Sequence, residues 1–174
     1  MTQEIDLSGR VALVTGAGKG IGRAICLQLA RAGADIFGVS RTGSDLHALG
    51  EETRLLGVRY ASCVADLTSV AAAEDVARRA EAFGAVEILV NSAGVARTAP
   101  AEDVTEADWD DVLDTNLKGA FFVSQAVGRR MLERGSGRIV NVSSLAGIVG
   151  LREHAAYCAS KAGLGLLTKV LAIE

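Results

Sequence analysis

The sequence predicts an α/β fold, a doubly wound parallel sheet with helices on both faces. Three observations predict it. Short apolar runs alternate five times with longer segments of helical character. Glycines follow the helical segments at Gly33, Gly57, Gly84 and Gly135, where a helix end favours a residue free of Cβ. A glycine-rich stretch links the first apolar run to the first helix.

The elements are expected in this order. Val11–Val14 is continuously apolar, as a strand buried on both faces requires. Ile21–Ala32 is helical and Gly33 closes it. Ile36–Val39 is the second strand, Asp45–Leu56 the second helix, and Val58–Val64 the third strand. Thr68–Phe83 is alanine-rich and helical, and Val86–Val90 is the fourth strand. Thr105 and Asp108 form a capping-box start, with Asp in place of the usual Glu or Gln, for a long helix reaching about Glu133. Arg138–Val142 is the fifth strand, and a last helix runs from near Ala155 to Glu174.

The 174 residues fit one domain. With 49% hydrophobic and 22% charged residues the composition is globular rather than disordered. The longest stretch without a charge, Ile139–Leu151, is too short to span a bilayer, so no membrane partner is expected. Glu4 and Asp6 interrupt the start and no apolar signal segment is visible there. A net charge of −3 argues against a nucleic-acid partner. Cys26, Cys63 and Cys158 are widely spaced and lack metal-ligand spacing; with no metal site expected, they read as small buried hydrophobes of a reducing, cytoplasmic compartment.

Thr15-Gly16-Ala17-Gly18-Lys19-Gly20-Ile21-Gly22 joins the first strand to the first helix. In that position backbone N–H groups and the helix N-terminus face a pyrophosphate, and side chains at Gly16 or Gly20 would obstruct the turn or the ligand. The spacing is T-G-x-x-x-G-x-G; the common G-x-G-x-x-G fails because Ile21 and Arg23 occupy the required glycine positions. The second strand ends Ser40-Arg41-Thr42, without the acid that would read both ribose hydroxyls of NAD. Arg41 is placed to fork onto a 2′-phosphate, with Ser40 and Thr42 as hydroxyl donors and Lys19 as a second cation, so NADP is expected over NAD.

Tyr157 and Lys161 lie four apart at the start of the last helix, which places them on one face. Ser143 and Ser144 follow the fifth strand at its carboxyl end, where open parallel sheets hold their ligands. The fourth strand ends in small residues at Asn91-Ser92-Ala93-Gly94, and Asn116 sits inside a helix that has little structural use for it.

Together these pieces resemble the classical short-chain dehydrogenase/reductases, with a Rossmann-like fold. The matching residues are the Thr15–Gly22 loop, Asp66 after strand three, Asn91-x-Ala93-Gly94, Asn116, Ser144 and Tyr157-x-x-x-Lys161, in order over nearly the whole chain. The resemblance implies that Asp66 and Leu67 lie near the adenine, that Asn91, Ala93 and Gly94 run along the cofactor, and that Asn116, Ser144, Tyr157 and Lys161 form a catalytic tetrad. Within the family, Val39–Thr42 and His154–Cys158 are most similar to carbonyl and sugar reductases of the L-xylulose reductase kind. Two departures stand out. Ser92 replaces a second asparagine, and the sequence stops at Glu174 where family members continue with further strands and a substrate lid, so a C-terminally incomplete domain is expected. The resemblance also implies a homo-oligomer, a tetramer or dimer, for the full-length protein.

The expected chemistry is hydride transfer between a nicotinamide and the carbonyl or secondary alcohol of a small molecule. Tyr157 is the acid or base, with the Lys161 ammonium favouring its phenolate. Ser144 orients the carbonyl oxygen, and Asn116 holds a water that links Lys161 to solvent. Two rivals remain: a 3-oxoacyl-thioester or steroid reductase of the same family, and a non-catalytic dinucleotide-binding module. His154, three residues before Tyr157, is either a pocket residue or an ordinary loop residue.

Overall fold

A computed structural model describes residues 5–174. Five strands, β1 (Val11–Thr15), β2 (Asp35–Ser40), β3 (Tyr60–Val64), β4 (Val86–Asn91) and β5 (Arg138–Asn141), form one sheet in the order β3-β2-β1-β4-β5. Every neighbouring pair is parallel. The helices are α1 (Gly20–Arg31), α2 (Gly43–Leu55), α3 (Val70–Phe83), α4 (Glu106–Leu113), α5 (Ala120–Arg134) and α6 (Ala155–Leu171). The strand order reverses between β1 and β4, so the carboxyl ends of those two strands part into a crevice.

All five residues of β1 are buried because the strand has helices on both sides. Val11 and Leu13 face a core that includes Val76, Ala77 and Ala80 of α3 and Val123, Val127 and Met131 of α5. Ala12 and Val14 face the opposite core, with Cys26 and Ala30 of α1 and Leu46 and Leu49 of α2. Each fully buried Val or Leu in these layers contributes about 1.5–3 kcal/mol of transfer free energy. None of the helices among the described residues is long and apolar enough to cross a membrane.

Several expected boundaries shift for local reasons. β3 begins at Tyr60 rather than Val58, because the Arg59 N–H donates to the Asp35 carboxylate at 2.8 Å instead of to a strand. α3 begins at Val70 rather than Thr68, because the Thr68 N–H is held by Asp66 Oδ1 at 3.1 Å. α2 starts two residues earlier than expected, at Gly43, and Asp45 lies in its first turn. β5 ends at Asn141, one residue short of Val142. α6 gives way at Leu171, before Glu174.

The long helix expected from Thr105 to about Glu133 is interrupted. Thr105 does cap α4, accepting from the Asp108 N–H at 3.1 Å; its hydroxyl donates to the Asp108 carboxylate at 2.7 Å. Between α4 and α5, Asp114–Gly119 forms a π-helical turn that contains Asn116. Such turns are rare and cluster at functional sites.

Candidate active site

The loop from β1 to α1 is built by close backbone approaches. Gly16 has φ +66°, and a Cβ there would lie 2.8 Å from Ala93 Cα and from the Ser92 carbonyl. Gly22, in the first turn of α1, has no room for a side chain either: a Cβ would collide with the Gly16 carbonyl group. Gly20 has φ +53° and open space before it. The Ala17 N–H donates to the Val39 carbonyl at 2.9 Å, tying the loop to β2. Thr15 Oγ1 accepts from the Ser92 and Ala93 N–H groups at 3.1 and 3.2 Å, tying it to the segment after β4.

These ties frame a cleft of about 710 Å³ along the carboxyl ends of the strands. Its walls carry Gly16, Lys19, Gly20, Ile21 and Gly22 from the loop, Ser40, Arg41 and Thr42 after β2, and Asp66 and Leu67 after β3. Ala93 and Gly94 follow β4 there, and Tyr157 and Lys161 come from α6. The volume is that of a site for a molecule of cofactor size. Gly16, Gly20 and Gly22 leave the backbone of this wall open between Lys19 and Ile21, so the donor set and its shape fit a dinucleotide pyrophosphate at the N-terminus of α1.

Four of the expected site residues do not line this cleft. Gly18 packs under Ser40 and Asp45: a Cβ on it would be 2.8 Å from Ser40 Oγ and 3.0 Å from Asp45 Cβ. Asn91 is buried and its Nδ2 donates to Ser124 Oγ at 2.9 Å and to Asn141 Oδ1 at 2.8 Å, so it braces β4 against α5 and β5. Ser144 caps a short turn (Leu145–Gly147), its Oγ accepting from the Ala146 N–H at 3.1 Å, while its neighbour Ser143 is the serine in the cleft wall. Asn116 is fully buried, and its side-chain amide is already engaged with Val95 and with Ser160 Oγ (3.1 Å).

α6 carries the two remaining reactive groups and is anchored in three places to the end of β5 and the two residues after it. Lys161 Nζ donates to the Val142 carbonyl at 2.8 Å, Ser143 Oγ donates to the Lys161 carbonyl at 3.3 Å, and Asn141 Nδ2 donates to Thr168 Oγ1 at 2.9 Å. Lys161 is 6% exposed, and burial lowers its pKa. Its ammonium lies 5.8 Å from the centre of the Tyr157 ring. His154 meets the same ring edge-on at 6.1 Å, with Nδ1 2.7 Å from the Arg152 carbonyl.

The charges at the β2–β3 end were only half visible in the sequence. Lys19 is paired with Asp45 at 3.3 Å, and both line the cleft. The expectation of an acid-free wall after β2 is therefore corrected: Asp45, five residues beyond the strand, reaches the wall from the first turn of α2. Asp66 keeps its carboxyl below the usual range, chiefly through the Thr68 N–H and also through the charge of Arg41. Among the described residues no group of three or more His, Cys, Asp or Glu converges as a metal-ligand set.

Comparison with known proteins agrees with this geometry. D-threitol dehydrogenase of Mycolicibacterium smegmatis is 52% identical over 98% of the chain and 66% of its own length. L-xylulose reductase of Mesocricetus auratus is 45% identical over 98% of the chain and 68% of its own. A structure from Beutenbergia cavernae, assigned as an NAD(P)-dependent gluconate 5-dehydrogenase and holding NADP at low occupancy, superposes with a TM-score of 0.92 at 42% identity, over 98% of this chain and 68% of that one. The chain thus spans about two thirds of the length of these relatives. The family model of the short chain dehydrogenases matches residues 10–174, and with a parallel Rossmann-like sheet, a glycine loop on β1 and Tyr157 and Lys161 on one helix face, the chain belongs to that family.

Proposed function

We propose that the chain is a single domain combining cofactor binding and catalysis in an NADP(H)-dependent oxidoreductase. Its substrate is a small polyol or sugar, interconverted between carbonyl and secondary alcohol. The observation that carries this reading is the placement of Tyr157 and Lys161 in the wall of the same cleft as the glycine loop, with Lys161 pinned to Val142. The polyol class is supported by relatives named for threitol and L-xylulose. The NADP preference is supported by Arg41, Ser40 and Thr42 on the wall after β2.

The bound nicotinamide supplies or accepts the hydride. The residues of this chain do the rest. The N–H groups of the Gly16–Gly22 loop hold the pyrophosphate, and Asp66 and Leu67 border the adenine. Tyr157 gives its hydroxyl proton to the carbonyl oxygen on reduction and takes it back on oxidation. Lys161 supplies positive charge beside that hydroxyl. Ser144 accepts the Ala146 N–H and keeps its own hydrogen for the carbonyl oxygen. Asn116 acts by holding the strip after Gly94 in place.

The test is NADPH and NADH oxidation by the full-length protein across four- and five-carbon ketoses, a 3-oxoacyl thioester and a ketosteroid. Fastest turnover on the ketoses supports the polyol reading. Preference for the thioester or steroid moves the enzyme to the rival branch, and dinucleotide binding without turnover on any carbonyl makes it a binding module. A homo-oligomeric, cytoplasmic protein fits the same reading. An apolar groove lined by Leu113, Leu117, Phe121, Phe122 and Leu167 supports self-association, which light scattering of the full-length protein would measure.

A further inference from the structure

We infer that Asp45 is a specificity-determining residue that holds the cofactor preference down, keeping both NAD and NADP usable. This rests on the dinucleotide reading proposed above. Arg41 alone would favour the 2′-phosphate strongly, yet it is not alone. Lys19 and Asp45 form an ion pair at 3.3 Å on the same cleft wall, and the Arg41 charge acts on Asp66 across it. The wall at the ends of β2 and β3 therefore carries two cations and two carboxylates.

Asp45 is held where it matters. Ser40 Oγ and Asp45 Cβ converge over Gly18, so the Asp45 side chain starts beside one of the hydroxyl donors proposed for the phosphate, and both residues line the cleft. Its side chain is 21% exposed, while that of Lys19 is 79% exposed. A solvated lysine in an exposed pair is weakly held, so Lys19 offsets the carboxylate only in part. A dianionic phosphate arriving at Ser40, Arg41 and Thr42 meets the fixed negative charge of Asp45. NAD, with hydroxyls there, does not.

The experiment is calorimetric titration of the full-length protein with NADP and with NAD, which reads binding apart from turnover. Asp45→Asn should raise the ratio of NADP to NAD affinity on the order of tenfold, the scale of one unit-charge interaction at partly solvated range. Asp45→Glu keeps the charge and should keep the wild-type ratio. Lys19→Met should lower the ratio, and adding Asp45→Asn to it should restore it. In about 1 M salt, where screening shortens to about 3 Å, the gap between wild type and Asp45→Asn should narrow. An unchanged or lowered ratio in Asp45→Asn, or an Asp45→Glu variant behaving like Asp45→Asn, overturns the inference. Wild type that binds neither dinucleotide overturns the parent reading; wild type that binds both with no response to Asp45 overturns this one alone.

Discussion

Asn116 grips Val95 at both ends of one residue: its Oδ1 accepts the Val95 N–H at 2.8 Å and its Nδ2 donates to the Val95 carbonyl at 2.9 Å. A helix is thereby clamped to the segment after β4. Gly94 fits beneath the clamp, where a Cβ would be 3.3 Å from Asn116 Oδ1 and 3.7 Å from Lys161 Nζ. Asn116→Ala would leave the Val95 N–H and carbonyl without their partner. A buried group left unpaired costs about 1–3 kcal/mol, so chemical denaturation should show a loss of at least 2 kcal/mol, and turnover should fall with it. Unchanged stability would show that water replaces the amide readily.

Tyr157→Phe should separate binding from chemistry. The ring and its contacts with His154 stay, and only the hydroxyl goes. General acid catalysis contributes about 10²–10⁴-fold, so turnover should fall by that much while NADPH affinity stays within a few fold. Retention of more than about a tenth of the wild-type rate would remove Tyr157 from the reaction.

Arg41→Ala tests the phosphate fork directly. A charge-assisted pair is worth about 1.5–3 kcal/mol, or roughly 10–150-fold in affinity. Titration should show NADP weakened by that factor and NAD little changed. Equal weakening of both would make Arg41 a general electrostatic contributor.

Lys161 should be a cost to stability. Burial lowers its pKa below the ordinary 10.5. Between the lowered value and 10.5 the unfolded chain binds more protons than the folded one, so stability rises with pH through that window. At pH 7 the buried ammonium is a standing penalty. Lys161→Met, which keeps the apolar stem, should therefore unfold at a higher temperature than wild type at pH 7 and lose turnover. The advantage over wild type should shrink at pH 10. A lower melting point at pH 7 would mean that the hydrogen bond to Val142 outweighs the burial.

What could be read in advance followed from periodicity and glycine placement. β1 and α1 declare themselves because a continuous apolar run and Gly16, Gly20 and Gly22 leave few other arrangements. Tyr157 and Lys161 share a face by arithmetic alone. The structure adds what depends on register between distant segments. Asp45 reads in the sequence only as a helix residue, and its place in the wall depends on how α2 sits against the loop that carries Lys19. Asn91 reads in the sequence as a cofactor residue, and the structure adds that its Nδ2 donates to Ser124 and Asn141, whose proximity depends on how β4, β5 and α5 pack. The link from Asn141 to Thr168 had no local signal, because its partners are 27 positions apart.

The π-helical turn at Asp114–Gly119 has a consequence for how this protein can vary. A π turn accommodates one residue more than the α-helix around it would, and so offsets the angular phase of everything before it from everything after. α5 can keep Val123, Val127 and Met131 against the sheet while Asn116, about two turns before Val123, points at Val95. One continuous α-helix through this stretch would force a choice between those two directions. Removing a single residue from Asp114–Gly119 would rotate α4 and its Thr105 cap by about 100° relative to α5, since α-helical residues are spaced 3.6 to the turn. The number of residues in this segment is therefore not free to change: it works as a fixed-length phase shifter between sheet packing and site geometry.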